Sequence, residues 1–378
     1  MKLNCTQREL SKGISIVLRA VASRTTLPIL GNILLEAKDG QLRLSATNLS
    51  VSINCWVRAE VQAEGAITVP ARLFGDMVGK LLPGRVELAL DDRIKQLHLT
   101  CGGFKAKLSG LDAEGFPQTL TPLADAIALN VKQVTEMIDQ VAFVASRDES
   151  RPALCCVKVS FGARLTMVGC DGFRLGVRSY PLETAAPERS VLVPATSMAE
   201  LGSILTDADP DKPLLVGGDE RCIVFAVEGK DSYLRAELSA QLTDAKYPDY
   251  QAIIPRSSTT SIAIDNVAFL RSLQTANLFA KGDERAVAIS ANPGSCLQVS
   301  AKDDVMGRSD DALDAEIKGV AVAASLNIGF LLEVIGRLGK TQVVIEMTTP
   351  SRPIMVRPFF ASPDEFIHVI MPMNREKK

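Results

Sequence analysis

Val21-Ala22-Ser23-Arg24 recurs letter for letter as Val144-Ala145-Ser146-Arg147, a step of 144 − 21 = 123 residues. A second trace, Gly40-Gln41-Leu42-Arg43-Leu44, is echoed by Ala163-Arg164-Leu165-Thr166-Met167 and by Ser295-Cys296-Leu297-Gln298-Val299. The shared leucine steps by 165 − 42 = 123 and then by 297 − 165 = 132. The order of features repeats too. Thr68-Val69-Pro70-Ala71, Leu192-Val193-Pro194-Ala195 and Ala321-Val322-Ala323-Ala324 read as apolar strands, each feeding a helix, over Leu73 to Leu82, Met198 to Leu205 and Ile328 to Leu338. Such steps exceed the roughly 20 to 50 residues of solenoid repeats. They mark three complete domains of one fold.

Size and composition agree. A third of 378 residues is 126, enough for a domain with its own core. With 47% apolar and 23% charged residues the chain is an ordinary globular protein. A formal charge of −2 argues against general adhesion to nucleic acid but leaves a charge-segregated face open. The longest uncharged apolar stretch, Gly319 to Leu332, falls short of the roughly 18 residues that span a bilayer. Met1-Lys2-Leu3-Asn4-Cys5-Thr6 shows no apolar leader, so a cytoplasmic protein is expected. The eight cysteines form no C-x-x-C pair and sit mostly in strand-like runs, so buried free thiols are expected and a zinc site is not.

Within each third the pattern is a helix, strands, then a helix between strands. Leu10, Ile14, Val17, Leu18 and Val21 line one face of a helix over Thr6 to Val21, with Thr6 and Glu9 spaced as a capping box. Its counterparts are Lys132 to Phe143 and Val267 to Ala276. Gln41 to Ala46 and Val86 to Leu90 alternate as half-buried strands. Each domain is therefore α+β, with helices against antiparallel sheet. An aromatic followed by proline closes the first two, at Phe116-Pro117 and Tyr247-Pro248. The expected domains are 1–122, 123–253 and 254–378.

Catalytic chemistry finds little support. His98 and His368, the two histidines, read as surface or half-buried strand positions, away from any nucleophile pattern. Gly169-Cys170-Asp171-Gly172 lacks the Lys-Ser/Thr of a phosphate loop, and Gly217-Gly218-Asp219 reads as a hairpin turn. Asp303-Asp304 and Asp310-Asp311 read as solvated pairs in polar loops. No catalytic residue, metal or cofactor is assigned.

Arg24-Thr25-Thr26-Leu27-Pro28-Ile29-Leu30-Gly31-Asn32, Gly169-Cys170-Asp171-Gly172-Phe173-Arg174-Leu175, Tyr247-Pro248-Asp249-Tyr250 and Val369-Ile370-Met371-Pro372-Met373 together resemble the bacterial DNA polymerase III beta subunit, the sliding clamps. The resemblance runs in order along the whole chain. It implies three tandem copies of one clamp domain, helices on the inner face and antiparallel sheets on the outer, closing as a head-to-tail homodimeric ring around double-stranded DNA. A ring holds DNA by topology, so weak phosphate contacts without base readout suffice. The implied role is processivity in DNA replication, with no chemistry of its own. The implied partners are the DNA polymerase III alpha subunit, the clamp loader, and other polymerases, ligase and mismatch-repair proteins, with no membrane.

Carried residue by residue, the resemblance makes Arg24 the first DNA-contact candidate, followed by Arg8, Lys12, Arg72, Arg147 and Arg271. A peptide pocket would be walled by Leu154, Cys170, Gly172, Phe173, Arg174, Leu175, Pro248, Ile253, Phe330, Val369, Ile370, Met371, Pro372 and Met373, rimmed by Asn327, Ser351 and Pro353. Methionine and aliphatic walls repack around varied anchors, and Arg174 would hold a peptide carbonyl or carboxylate. The ring seam would set Lys105, Lys107 and Leu108 against Leu278, Phe279, Asp303 and Asp304.

Departures from the family pattern are Ala195-Thr196-Ser197 where basic residues are common, Arg151-Pro152-Ala153, Phe173 in place of histidine, Ala252 in place of arginine, and a basic tail Asn374 to Lys378. Two other readings compete: an α+β enzyme centred on Asp171 and Arg174, which leaves the triplication unexplained, and a clamp relative acting as a repair scaffold or self-resistance copy.

Overall fold

The computed structural model describes residues 1–22, 25–117, 123, 126–230, 233–281 and 285–373. Among them are six α-helices: α1 Gln7–Val17, α2 Ala71–Gly79, α3 Val131–Val141, α4 Ala195–Leu205, α5 Asn266–Ala276 and α6 Ile328–Ile335. None is long and apolar enough to cross a membrane.

The first helix of each repeat starts on a side-chain cap, which satisfies an amide the helix itself cannot. Thr6 Oγ1 accepts from Glu9 N at 3.2 Å, Asn130 Oδ1 from Gln133 N at 3.1 Å, and Asp265 Oδ1 from Ala268 N at 2.8 Å. The Thr6 hydroxyl also donates to Glu9 Oε2 at 2.8 Å, closing the expected Thr-Glu box. α1 is shorter than its apolar period, because after Val17 the chain tightens into the 3-10 turn Leu18–Ala20. The same turn, Ala142–Val144, follows α3. Leu18 and Val144 continue the stripe on a different backbone pitch, which periodicity cannot distinguish. α2 ends at Gly79, short of Leu82, with Pro83 close behind.

The chain forms two compact units, Met1–Thr135 with Thr196–Leu242, and Glu136–Ala195 with Thr243–Lys378. The first holds a five-stranded antiparallel sheet in the order Glu60–Ala63, Lys2–Thr6, Arg85–Asp91, Gln96–Cys101, Phe104–Ser109. Its eight-stranded sheet runs Ile127–Asn130, Pro213–Gly218, Cys222–Glu228, Arg235–Gln241, Val51–Arg58, Gln41–Thr47, Asn32–Lys38, Gly65–Pro70. The second unit holds a nine-stranded sheet: Arg189–Pro194, Cys156–Phe161, Arg164–Cys170, Arg174–Pro181, Phe366–Ile370, Ile354–Pro358, Gln342–Met347, Thr260–Asp265, Ala315–Gly319. Its four-stranded sheet runs Gly307–Leu313, Leu297–Asp303, Ala286–Ala291, Val322–Asn327.

The repeat is visible in hydrogen bonds. Asn48 Oδ1 accepts from Ser50 N and Val51 N, Asp171 Oδ1 from Phe173 N and Arg174 N, and Asp303 Oδ1 from Val305 N and Met306 N, all within 2.7–3.0 Å. These are one Asx turn at one hairpin, three times. Asp303 is thereby a turn cap, and the two amides hold its carboxyl below the usual carboxylate range. Asp310 and Asp311 lie in the strand Gly307–Leu313, not in a loop as expected. Arg308-Ser309-Asp310-Asp311-Ala312 has no apolar alternation to announce a strand, and pairing with Leu297–Asp303 decides the matter.

Candidate functional site

On the nine-stranded sheet, the face away from the main core of the second unit is apolar. Val168 stands opposite Val177 and Cys170 opposite Leu175. The strand Phe366–Ile370 extends the rows, with Val369 opposite Leu175 and Ile367 opposite Val177, and Met355 adds to Val369 from the next strand. Leu154, Tyr247, Tyr250 and Ile254 pack over this patch. Tyr247 Oη donates to the Val168 carbonyl at 3.3 Å, and Lys158 Nζ lies 5.6 Å from the centroid of the Tyr250 ring. Burial pushes up both the Cys170 thiol and the Tyr247 phenol, so neither charges this face near neutrality.

Of the expected pocket residues, Leu154, Cys170, Leu175 and Val369 belong to this cluster. Gly172 and Phe173 form the hairpin tip beside it. Gly172 has φ +94, which favours glycine. Phe173 is 63% exposed, and its carbonyl accepts from Met371 N at 2.9 Å. Pro248 and Ile253 are exposed in the segment that supplies Tyr250 and Ile254. Pro372 and Met373 are half-buried, with Met373 N donating to Ser325 O at 2.7 Å. Ser351 and Pro353 lie in the turn before the strand that carries Met355.

Four expected pocket residues have packing or hydrogen-bond partners of their own outside this cluster. Ile370 belongs to the main core on the opposite side of the sheet, because neighbours along a strand point to opposite faces, and Phe330, on helix α6, packs against that core. Asn327 is the cap of α6, accepting from Gly329 N and Phe330 N. Arg174 is buried and occupied: Nε donates to Asp171 Oδ2 at 2.9 Å, Nη2 to Phe143 O at 3.2 Å, and Nη1 pairs with Glu333. Its guanidinium stacks between the rings of Phe143 and Phe330 at 5.3 and 4.5 Å. These partners hold its guanidinium within the second unit. Val168, Val177, Met355, Ile367 and Ile254 join the cluster from outside the expected pocket residues, as do Tyr247 and Tyr250 of the quoted Tyr247-Pro248-Asp249-Tyr250 motif. Strand alternation places Val168 two residues before Cys170 and Ile367 two before Val369 on the same face.

The equivalent faces of the other repeats are polar. In the first unit Ser45 stands opposite Asn54 and Thr47 opposite Ser52. In the third repeat Ser300 stands opposite Asp310 and Lys302 opposite Arg308. Among the described residues, this row is therefore apolar in one of the three copies of the fold.

His368, expected at a surface or half-buried position, is fully buried. Its ring stacks on Phe143, centroids 5.9 Å apart. Burial, with Arg174 and Arg337 nearby, pushes its pKa down to about 3.

Among the DNA-contact candidates, Lys12 is tied to Asp207. Arg8, Arg72, Arg147 and Arg271 are exposed. Arg24 lies outside the described residues. At the seam candidates, Lys105 and Lys107 are exposed on the strand Phe104–Ser109, a sheet edge, while Leu108 points into the core. Leu278 is exposed, Phe279 packs against the core, and Asp304 pairs with Lys302 at 3.1 Å.

Three copies of one α+β fold, joined strand to strand through shared sheets and bearing one apolar patch beside the second hairpin, define a clamp-type protein. Family models for the DNA polymerase III beta subunit match the chain three times: the N-terminal domain at residues 1–121, the central domain at 128–249 and the C-terminal domain at 251–374. A beta sliding clamp of Synechococcus elongatus is 30% identical over 383 residues, covering 99% of each chain. One of Staphylococcus aureus is 27% identical over 371 residues, covering 94% of this chain and 95% of the relative. The crystal structure of a DNA polymerase sliding clamp from Bacillus subtilis superposes with a TM-score of 0.91 at 25% identity, covering 99% of each chain. The chain belongs to the DNA polymerase III beta subunit family, whose function is that of the processivity clamp in DNA replication.

Proposed function

We propose that two copies of this chain close head to tail into a ring around duplex DNA and tether the DNA polymerase III alpha subunit by a peptide seated in the apolar recess. One observation carries this reading. The strand Val51–Arg58 pairs with Arg235–Gln241, and its repeat counterpart Arg174–Pro181 pairs with Phe366–Ile370. The third pair of counterparts, Gly307–Leu313 and Phe104–Ser109, is left as two open edges. One edge carries Asp310 and Asp311, the other Lys105 and Lys107. Joined between copies, they bring opposite charges together, cover both edges and close a ring of heterologous contacts.

On this reading the domains are 1–122, 123–253 and 254–378, a division supported by the three family-model matches. Arg8, Arg72, Arg147 and Arg271, with no ion pair among the described residues, are the phosphate contacts, joined by Arg24. The protein acts in the cytoplasm, without a catalytic step. The clamp loader, other polymerases, ligase and mismatch-repair proteins share the recess with the polymerase. The apolar character of the recess in the second repeat alone supports a single peptide site per chain.

The test is light-scattering mass together with retention on nicked circular DNA after loading by a clamp loader. A mass near twice 40.6 kDa, retention on circles and loss on linearisation are expected. A monomer, or equal loss from both DNAs, overturns the reading.

A further inference from the structure

The solvent side of α1 is a basic stripe. Arg8, Lys12 and Ser15, at steps of four and three residues, share the face away from the buried Leu10, Ile14 and Val17, and Arg19 continues it from the 3-10 turn. Two of the three cations meet carboxylates from the second repeat. Lys12 pairs with Asp207, and Arg19 Nη1 with Glu200 Oε2 at 2.9 Å. Glu200 lies on α4, and Asp207 lies just past its end. Residues 195–207 contain no lysine or arginine. Where the family pattern is often basic, this chain therefore brings only negative charge, set against the cations of the first repeat. Its counterparts are mixed: α2 carries both Arg72 and Asp76, and α6 carries Glu333 with Arg337 close behind.

These two pairs add little to the fold. Their side chains are 29% and 39% exposed for Lys12 and Asp207, and 41% and 34% for Arg19 and Glu200, a setting in which ion pairs stabilise weakly. The joint between these repeats is already made by the strands Val51–Arg58 and Arg235–Gln241. The arginines at the matching joint of the second unit are built in differently. Arg337 stacks on Phe143 at 4.1 Å, and Arg174 lies between two rings. Among the described residues no ring stacks on Lys12 or Arg19. What Glu200 and Asp207 change is the field outside the protein. A free cation attracts a phosphate as a point charge, whereas a cation beside a carboxylate acts as a dipole, whose attraction falls more steeply with distance.

We propose that Glu200 and Asp207 set the strength of the grip on duplex DNA, by neutralising Arg19 and Lys12 so that the first repeat slides past phosphates under weaker attraction. The proposal rests on the ring reading above, in which these helices face the DNA. Glu200 and Asp207 are positioning residues, since they act through the cations and touch no phosphate themselves. Every phosphate contact must break and re-form at each step along the duplex, so each extra contact adds friction. A cation released from its carboxylate supplies one more contact and steepens the salt dependence by about 0.9 in log–log slope.

The test is the one-dimensional diffusion coefficient of the labelled full chain, loaded on stretched duplex DNA by a clamp loader, at low and at high salt. Glu200→Gln/Asp207→Asn is expected to slow diffusion about two- to fivefold at low salt and to match the parent at high salt. Arg19→Gln breaks the Arg19–Glu200 pair from its basic side and should not slow diffusion. Glu183→Gln, which removes an exposed carboxylate elsewhere in the second repeat, controls for net charge and should slide as the parent does. Circular-dichroism melts of all variants should lie close to the parent, because the pairs are half-exposed. If the parent leaves circular DNA as fast as linear DNA, the ring reading falls and this proposal with it. If the parent is retained on circles, the ring reading stands, and any of four results overturns the proposal alone. These are parent-like diffusion of Glu200→Gln/Asp207→Asn, equal slowing by Arg19→Gln, equal slowing by Glu183→Gln, and slowing that survives high salt.

Discussion

Arg174 and Glu333 form an ion pair that fastens the hairpin following Cys170 to helix α6, with the aromatic rings of Phe143 and Phe330 on either side of the guanidinium. Their side chains are unequally buried, 8% exposed for Arg174 and 45% for Glu333. That inequality sets their energetic roles. Arg174→Met leaves Asp171, itself only 15% exposed, without its partner and should cost about 3 kcal/mol or more in urea unfolding. Glu333→Gln removes a half-solvated charge and should cost under about 1 kcal/mol.

Val177 holds the place that Asn54 holds in the first repeat. Exchanging that chemistry, Val177→Asn, should weaken binding of a peptide from the cognate polymerase alpha subunit about tenfold by calorimetric titration, as an amide enters the apolar row. The melting temperature should fall only slightly, because Val177 is half-buried. Unchanged peptide affinity would remove the recess from consideration.

His368 gives stability a pH dependence whose sign can be worked out. The folded pKa of about 3 lies below the unfolded value near 6.5. Between these limits the unfolded chain binds a proton that the folded chain does not. Stability therefore rises with pH through this window and is lost as pH falls below about 6.5. His368→Phe, which keeps a ring against Phe143, should flatten the slope of unfolding free energy between about pH 5.5 and 6.5. An unchanged slope would assign it to other groups.

Gly319 has φ +108, and a Cβ there would lie 1.9 Å from the Thr259 carbonyl oxygen. Gly319→Ala forces both strain and backbone displacement at the strand Ala315–Gly319. A loss of about 2 kcal/mol or more is expected in chemical denaturation.

Much of the fold was legible because the sequence repeats. The Thr6 box, the strands that alternate and the helices that follow Pro70 and Pro194 all carry local signals. The strand Gly307–Leu313 carried none, since Asp310 and Asp311 put charge on both faces and its existence depends on a partner strand. The recess was half legible. Cys170, Leu175 and Val369 came with their motifs. Ile370 and Arg174 came with the same motifs but point to the other face, a distinction of one residue that pairing register decides. His368 was read as accessible because a strand histidine flanked by Ile367 and Val369 looks the same whichever side is filled. The exclusiveness of the recess was readable in principle, by aligning Ser45, Val168 and Ser300 through the repeat.

The sharing of strands between repeats has a consequence for how the chain comes apart. Arg235–Gln241 completes a sheet begun by Val51–Arg58, and Phe366–Ile370 completes one begun by Arg174–Pro181. Excising a single repeat would strip a long edge of its hydrogen-bond partners and bare its sticky backbone to other chains. Cooperative melting should accordingly follow the two compact units and cut through the middle repeat. Amide exchange would then report the strands Cys156–Phe161 and Cys222–Glu228, members of one repeat, opening with different partners. A threefold gene thus encodes a molecule whose smallest self-sufficient piece is larger than the piece that was copied.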